Sequence, residues 1–224
     1  MPALRRVLVA NRGEIAVRVI RACKALGIGT VAIHSDADRG GLWTQMADQA
    51  ARVGPGPSRE SYLDMDRVLD AARRTGADAV HPGYGFLSEN PAFARRVRSA
   101  GLTWIGPSPE AMERMGDKTS ARREAEAAGV PVAPGSATLR DEAHAREEAR
   151  RIGYPVLLKA AAGGGGIGMR LVRKEQELAE QFASATQQAA AAFGVPDVFL
   201  EKFIERPRHI EVQVLGDQHG HVIH

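Results

Sequence analysis

Apolar positions change period repeatedly along the first half of the chain. Val7–Ala10 is a short apolar run of the length expected for a buried strand. From Glu14 to Leu26 the apolar residues Ile15, Val19, Ala22 and Leu26 recur at helical spacing, and Gly27 stops the pattern. Thr30–His34 (TVAIH) alternates and is β-branched, so a second strand is predicted there, with a short third at Ala50–Val53. A helix is predicted over Leu63–Arg74, ending at Gly76. Ala79–His81 then runs as a strand into the glycine-rich turn HPGYGF. Pro91 opens a helix to about Ala100, Thr103–Ile105 (TWI) is a further strand, and Ser108–Met115 is helical. Strands separated by helices of this length predict an α/β unit, a Rossmann-like parallel sheet covered on both faces.

The character then changes. Lys118–Ala128 is predicted as a helix, and Val130–Gly135 (VPVAPG) is the best linker candidate. Asp141–Ile152 is a charged helix ended by Gly153. Strand Val156–Ala160, a glycine run, strand Met169–Val172 and an Ala/Gln-rich helix to about Phe193 follow. Val198–Phe203 and His209–Leu215 are predicted strands, with a turn at Asp217–Gly220. This second part is an α+β module, and no internal repeat is found. The sequence stops after the strand-like HVIH, where an unpaired strand would leave an exposed edge. A cut piece of a longer protein is therefore expected.

Composition narrows the class only modestly. Of 224 residues, 44% are hydrophobic and 25% charged, as in soluble globular proteins. The net charge of +3 comes from scattered basic residues, which favours a solvated Arg-rich surface over nucleic-acid binding. Cys23, the single cysteine, lies in a helical pattern and is expected to pack; without disulfides a reducing compartment is expected. Arg5 and Arg6 precede too short an apolar run for a signal peptide, and no stretch has membrane-spanning length. The cytoplasm is the expected location.

Candidate chemistry concentrates in the second half. Leu158–Met169 (LKAAAGGGGIGM) carries four consecutive glycines, a run that lets backbone N–H groups approach a phosphate chain. It lies between two predicted strands, which argues against the P-loop and the dinucleotide fingerprint, since both need a following helix N-terminus. A flexible lid hairpin over a nucleotide fits, and a plain flexible turn stays open. Only five of the 30 basic residues are lysine, and three of them, Lys118, Lys159 and Lys202, fall in motifs. Lys159 stands beside the glycine run, where an ammonium could bridge phosphates; a surface lysine at a strand end fits the residues equally. In FLEKFI, Glu201 and Lys202 could serve an adenine and ribose pocket with the backbone of Phe203 and Ile204, or be two outward charges on an ordinary strand. In MGDK, Gly116 allows a bend, Asp117 suits a helix cap and Lys118 is the informative residue. His209 and Glu211 share one strand face, and no metal-ligand cluster is visible.

Taken in order, ANRGEIA (Ala10–Ala16), HPGYGFLSEN (His81–Asn90), IGPSP (Ile105–Pro109), MGDK, KAAAGGGG, EKF and PRHIEVQV resemble the signatures of the biotin carboxylase family over essentially the whole chain. The resemblance implies a pre-ATP-grasp domain at residues 1–117. Residues 118–224 would be the ATP-grasp lid with the beginning of its core. It implies ATP-dependent carboxylation of biotin by bicarbonate through carboxyphosphate. Lys118 and Lys159 would bind ATP phosphates, with Gly165 and Gly166 closing over them. Glu201, Lys202, Phe203 and Ile204 would hold adenine and ribose, His209 would add a nucleotide contact, and Tyr84 with Gly83 would lie near biotin and bicarbonate. Mg²⁺ would be required, its ligands expected beyond His224 together with the bicarbonate and carboxyphosphate residues. No catalytic residue is then expected within this chain, and 224 residues alone are expected to be inactive. Implied partners are a biotin carboxyl carrier domain, a carboxyltransferase and, at full length, a second copy in a homodimer. Position 167 departs from the family pattern: Ile stands where Arg or Lys is usual, which implies weaker phosphate contact or altered lid closure. Another ATP-grasp ligase and a non-catalytic nucleotide-binding module are the alternatives.

Overall fold

The computed structural model describes residues 4–116, 118–161, 169–217 and 219–224, with only the backbone of Lys118, Thr119 and Phe193. The chain divides into two compact units, Met1–Ala121 and Arg122–His224.

The first unit is built on five parallel strands: β1 (Arg6–Val9), β2 (Gly29–Ser35), β3 (Gln49–Gly54), β4 (Ala79–His81) and β5 (Thr103–Trp104). Their order is β3-β2-β1-β4-β5, with β1 paired to β2 from Arg6↔Gly29 and to β4 from Val7↔Ala79. Alternation along β1 sends Val7 and Val9 to one face, where they meet Ala16, Val19, Ile20 and Cys23 of α1 (Gly13–Ala25). Leu8 and Ala10 go to the other face, with Val68, Leu69 and Ala72 of α3 (Met65–Thr75) and Phe93 and Val97 of α4 (Pro91–Ser99). Helices thus cover both faces, which explains the near-continuous apolar strands.

Caps set the helix limits. Asp64 accepts from the N–H groups of Asp66 and Arg67, so α3 starts two residues later than Leu63, and Gly76 closes it in the left-handed conformation. Asn90 caps α4 through Phe93 N–H, with Pro91 at its first position. A five-residue helix, α2 (Leu42–Met46), was not predicted because it is too short to show a period. Trp43 anchors it, buried and donating its indole N–H to Ile33 O at 2.9 Å. α5 (Pro109–Gly116) follows β5.

The second unit begins within α6 (Lys118–Ala127). Arg122 on that helix donates to the carbonyl of Ala133 in the linker segment. An antiparallel sheet of order β7-β6-β8 is formed by β6 (Val156–Ala160), β7 (Arg170–Val172) and β8 (Val198–Lys202). Val156, Leu158, Ala160, Val172, Val198 and Leu200 bury one face against α7 (Glu142–Ile152) and α8 (Leu178–Phe193).

The predicted strand at His209–Leu215 does not form. Residues 207–214 are irregular and exposed, and only Leu215–Gly216 (β9) pairs, with Val222–Ile223 (β10). Alternation along Ile210, Val212 and Val214 supplies a strand pattern, but a strand needs a neighbour for its N–H and C=O groups, and none is provided among the described residues. The turn between β9 and β10 is held by Asp217, whose carboxylate accepts from the N–H groups of His219 and His221.

Candidate functional site

Strand order places the first cluster. The chain leaves β1 towards β2 and β3, then returns to the other side of β1 as β4. In such sheets the crevice beyond the carboxyl ends of the two central strands is where ligands bind. Asn11–Glu14 follow β1, and Pro82–Phe86 follow β4, which ends at His81. Two motifs 70 residues apart in sequence therefore meet at one crevice.

Side chains from several elements hold the turn after β4. Asn11, almost fully buried, donates from Nδ2 to the carbonyls of Pro82 and Tyr84, both at 2.7 Å. Gly83 has φ +66, and a Cβ there would meet Asn11 Nδ2 at 2.8 Å, so glycine is required twice over. Tyr84, exposed at its ring, donates its hydroxyl to Glu14 Oε1 at 2.9 Å, and that carboxylate bond raises the phenol pKa above its ordinary value. Phe86 has φ +47, an unusual conformation for a bulky residue, and stacks on Tyr62 at 5.1 Å. The Arg12 guanidinium lies over both rings, at 5.6 and 5.8 Å.

Behind those rings lies a satisfied polar network. Arg12 donates to Asp38 at 3.1 Å, Tyr62 donates its hydroxyl to Asp38 Oδ2 at 2.7 Å, and Ser35 Oγ donates to the same oxygen at 3.0 Å. Burial works against the Asp38 charge, but hydrogen bonds from Tyr62, Ser35 and Arg12 overcome it and hold the carboxyl below the ordinary carboxylate range. Burial first, and the bond to Asp38 second, push Tyr62 up to about 12. The Tyr62 oxygen also accepts from Ser35 N–H at 3.0 Å. Replacement of Tyr62 by Phe orphans that N–H and is expected to cost about 1–3 kcal/mol. Because the folded pKa lies above the ordinary 10, the phenol's contribution is complete below pH 10 and fades as pH rises towards 12. Urea midpoints of the two proteins should therefore converge across that alkaline window.

The second cluster sits on the sheet face of the second unit opposite α7 and α8. Lys159 and Glu201 lie diagonally across the β6–β8 ladder, where Leu157 pairs with Glu201 and Lys159 with Phe199. Lys159 Nζ meets Glu201 Oε2 at 2.7 Å, both side chains about a quarter exposed. The glycine run joins β6 to β7, which are antiparallel neighbours, so it links two strands of a hairpin. Gly165, Gly166 and Ile167 lie outside the described residues, as does Asp117. Lys118 is the first residue of α6, and its side chain is likewise outside the description. Lys202 donates its ammonium to the carbonyls of Gly153 and Tyr154, at 2.7 and 3.0 Å, and so ties β8 to the turn before β6. Phe203 N–H donates to Pro155 O at 3.1 Å, and Ile204 is exposed. His209 is exposed and bonded to Glu211 at 2.8 Å. Lys159 and Glu201 are thus brought together, whereas His209 pairs with a near neighbour in sequence. Among the described residues no group of three or more His, Cys, Asp or Glu side chains could hold a metal ion.

The family model "Biotin carboxylase, N-terminal domain" matches residues 3–112, and "Carbamoyl-phosphate synthase L chain, ATP binding domain" matches residues 117–224. A biotin carboxylase of Halalkalibacterium halodurans is 55% identical over 98% of this chain. The chain belongs to the biotin carboxylase family. The chain spans 49% of that relative's length. The alpha subunit of mitochondrial methylcrotonoyl-CoA carboxylase from rice is 54% identical over 99% of the chain, which spans 30% of it. Among solved structures, the biotin carboxylase domain dimer of Hydrogenobacter thermophilus 2-oxoglutarate carboxylase matches the whole chain with a TM-score of 0.89 and 51% identity. This chain spans 49% of that one, whose crystal holds MgADP, ADP and bicarbonate. The expected fold class is met: a Rossmann-like pre-ATP-grasp unit followed by an α+β unit of the ATP-grasp family. Asn11, Arg12, Asp38 and Tyr62 were not predicted as site residues. ANRGEIA contains two of them, and doubly wound topology would have brought that motif beside HPGYGF.

Proposed function

We propose that this chain supplies the nucleotide-binding part of an enzyme that carboxylates biotin with ATP and bicarbonate. The observation that carries the reading is the Lys159–Glu201 pair, on the face of β6 and β8 opposite α7 and α8, with Lys159 just before the glycine run in sequence. ATP would supply the phosphoryl group that activates bicarbonate. Lys159 can exchange Glu201 for phosphate oxygens, moving its ammonium from one anion to another with little reorganisation. Lys118 and the backbone of Gly165 and Gly166 add phosphate contacts in this reading. Glu201, Lys202, Phe203 and Ile204 take adenine and ribose, with His209 as a further nucleotide contact, and Tyr84 with Gly83 lies near biotin and bicarbonate. The residues described do not fit a Mg²⁺ site, so no step here runs through the metal. Its ligands, and the groups that handle carboxyphosphate, are assigned to the part of the relatives that this chain does not span. Residues 1–117 are read as the pre-ATP-grasp domain and 118–224 as lid and core beginning.

A biotin carboxyl carrier domain and a carboxyltransferase are the expected partners, and a homodimer the expected assembly of the full-length subunit. Support comes from the relatives, one a carboxylase subunit and another a crystallised dimer. No helix among the described residues is long and apolar enough to cross a membrane. Cytoplasmic location is part of the proposal.

ADP release by the full-length subunit should require bicarbonate and rise with added biotin, while residues 1–224 alone should give none above background. Turnover by the 224-residue chain would sink the assignment of the catalytic groups elsewhere. A full-length enzyme indifferent to biotin would point instead to another ATP-grasp ligase.

A further inference from the structure

The turn after β4 contains one contact that only a single protonation state of its partner permits. Gly83 N–H lies 3.0 Å from His81 Nδ1. A peptide N–H can only donate, so Nδ1 must present its lone pair and the ring proton must sit on Nε2. A second proton would land on Nδ1 and set donor against donor. Asn11 and Ile15 crowd Gly83 where a Cβ would stand, so the turn is tightly packed there.

We propose that His81 is a positioning residue of the 82–86 turn, that it acts only as the Nε2–H tautomer, and that proton uptake by the ring releases the Gly83 N–H. Its backbone is fixed independently: Ala10 N–H donates to His81 O at 2.8 Å, and His81 pairs with Val9 across β1 and β4. Ring protonation therefore acts on the turn and leaves the strand in place. Charged and titratable groups on the elements around the ring are Arg12, Glu14 and Arg18 from the start of α1, and Tyr84 and Glu89 from the turn. Arg12 is engaged by Asp38, and Glu14 by the Tyr84 hydroxyl. Burial alone accounts for the lowering of the His81 pKa from its ordinary 6.5. The unfolded chain takes up this proton first on acidification. The contribution of His81 to the turn's stability is complete above about 6.5 and is lost as pH falls through the lower folded value.

The inference deepens the reading of Tyr84 and Gly83 as neighbours of biotin and bicarbonate, but its test needs neither ligand. Long-range ¹H–¹⁵N correlations of the His81 ring in the full chain should show a bare Nδ1 at neutral pH. On acidification the Gly83 amide should shift with the midpoint of the His81 ring, below 6.5. In His81→Asn the side-chain oxygen replaces Nδ1 as acceptor, so the Gly83 amide should stay protected and lose its pH dependence. His81→Ala should exchange that amide at least about tenfold faster at every pH. An Nδ1–H tautomer at neutral pH, or a Gly83 amide that stays still while His81 titrates, would overturn the proposal. Should the alanine variant fail to fold, the wild-type titration and His81→Asn decide the matter. A failure of biotin to perturb the Tyr84 amide in the full-length subunit would count against the ligand assignment and leave the positioning role intact.

Discussion

Asn11→Ala is expected to destabilise the first unit by about 2–4 kcal/mol, because a buried carbonyl and a part-buried one lose their donor together and each orphaned buried group costs about 1–3 kcal/mol. The carbonyls belong to Pro82 and Tyr84, on either side of Gly83. The Asn11 Oδ1 also accepts from Arg12 N–H at 2.9 Å, so the side chain shapes the start of α1 as well as the turn after β4. Asn11→Asp sharpens the test. It keeps the volume and the acceptor for Arg12 N–H, but turns a carboxylate oxygen towards the two carbonyl oxygens. Since repulsion replaces two hydrogen bonds at a site with little access to water, the aspartate should be worse than the alanine at neutral pH. Denaturant midpoints give both values. An alanine variant within about 0.5 kcal/mol of wild type, the usual effect of a surface substitution, would mean that water takes over both carbonyls. The turn would then not depend on Asn11.

How far the fold could be read from the sequence follows from how local each determinant is. Strands β1, β2, β4 and β6 are short apolar runs bounded by turn residues, and their burial on both faces or on one face is already in the pattern. The caps Asp64, Asn90 and Asp141 act within three residues of themselves, so helix starts were legible to within two positions. The parallel sheet followed from strand–helix alternation alone. What escaped is what depends on distant partners. Asp38 and Tyr62 are 24 residues apart and look unremarkable until β2 delivers Asp38 beside Arg12. His209–Leu215 has a strand's alternation and no neighbour, so the pattern overstated the structure. The pairing of Lys159 with Glu201 required the β6–β8 register, since a shift by one residue would have put one of them among the buried aliphatics.

The two lysines of the second unit show why sequence motifs alone could not rank them. Both stand in stretches that resemble nucleotide-binding signatures, and both are partly buried. Lys202 spends its ammonium on the carbonyls of Gly153 and Tyr154. Lys159 faces the side opposite α7 and α8 and is bound by a carboxylate that a phosphate could replace. The register of β8 makes the difference: Glu201 and Lys202 are consecutive, so their side chains leave the sheet on opposite faces.

Lys159→Met is accordingly expected to weaken ADP binding to the full-length subunit by about ten- to a hundredfold, the value of one charge-assisted hydrogen bond of about 1.5–3 kcal/mol. Methionine keeps the length of the aliphatic stem, so strand packing should survive. The carboxylate left at Glu201 is about a quarter exposed, and its loss of a partner should cost about 1–3 kcal/mol of stability. Adenosine provides the control. It has no phosphates, and its affinity should be the same in wild type and variant if Lys159 acts on the phosphate chain. Lys202→Met should show the reverse pattern, with lower stability from two orphaned carbonyls and a similar loss for adenosine and ADP. Titration of both ligands into the three proteins, at one fixed ionic strength, separates the cases. Equal losses for adenosine and ADP in Lys159→Met would make that lysine a strand-end ion pair. The glycine run would then have to hold phosphates without it.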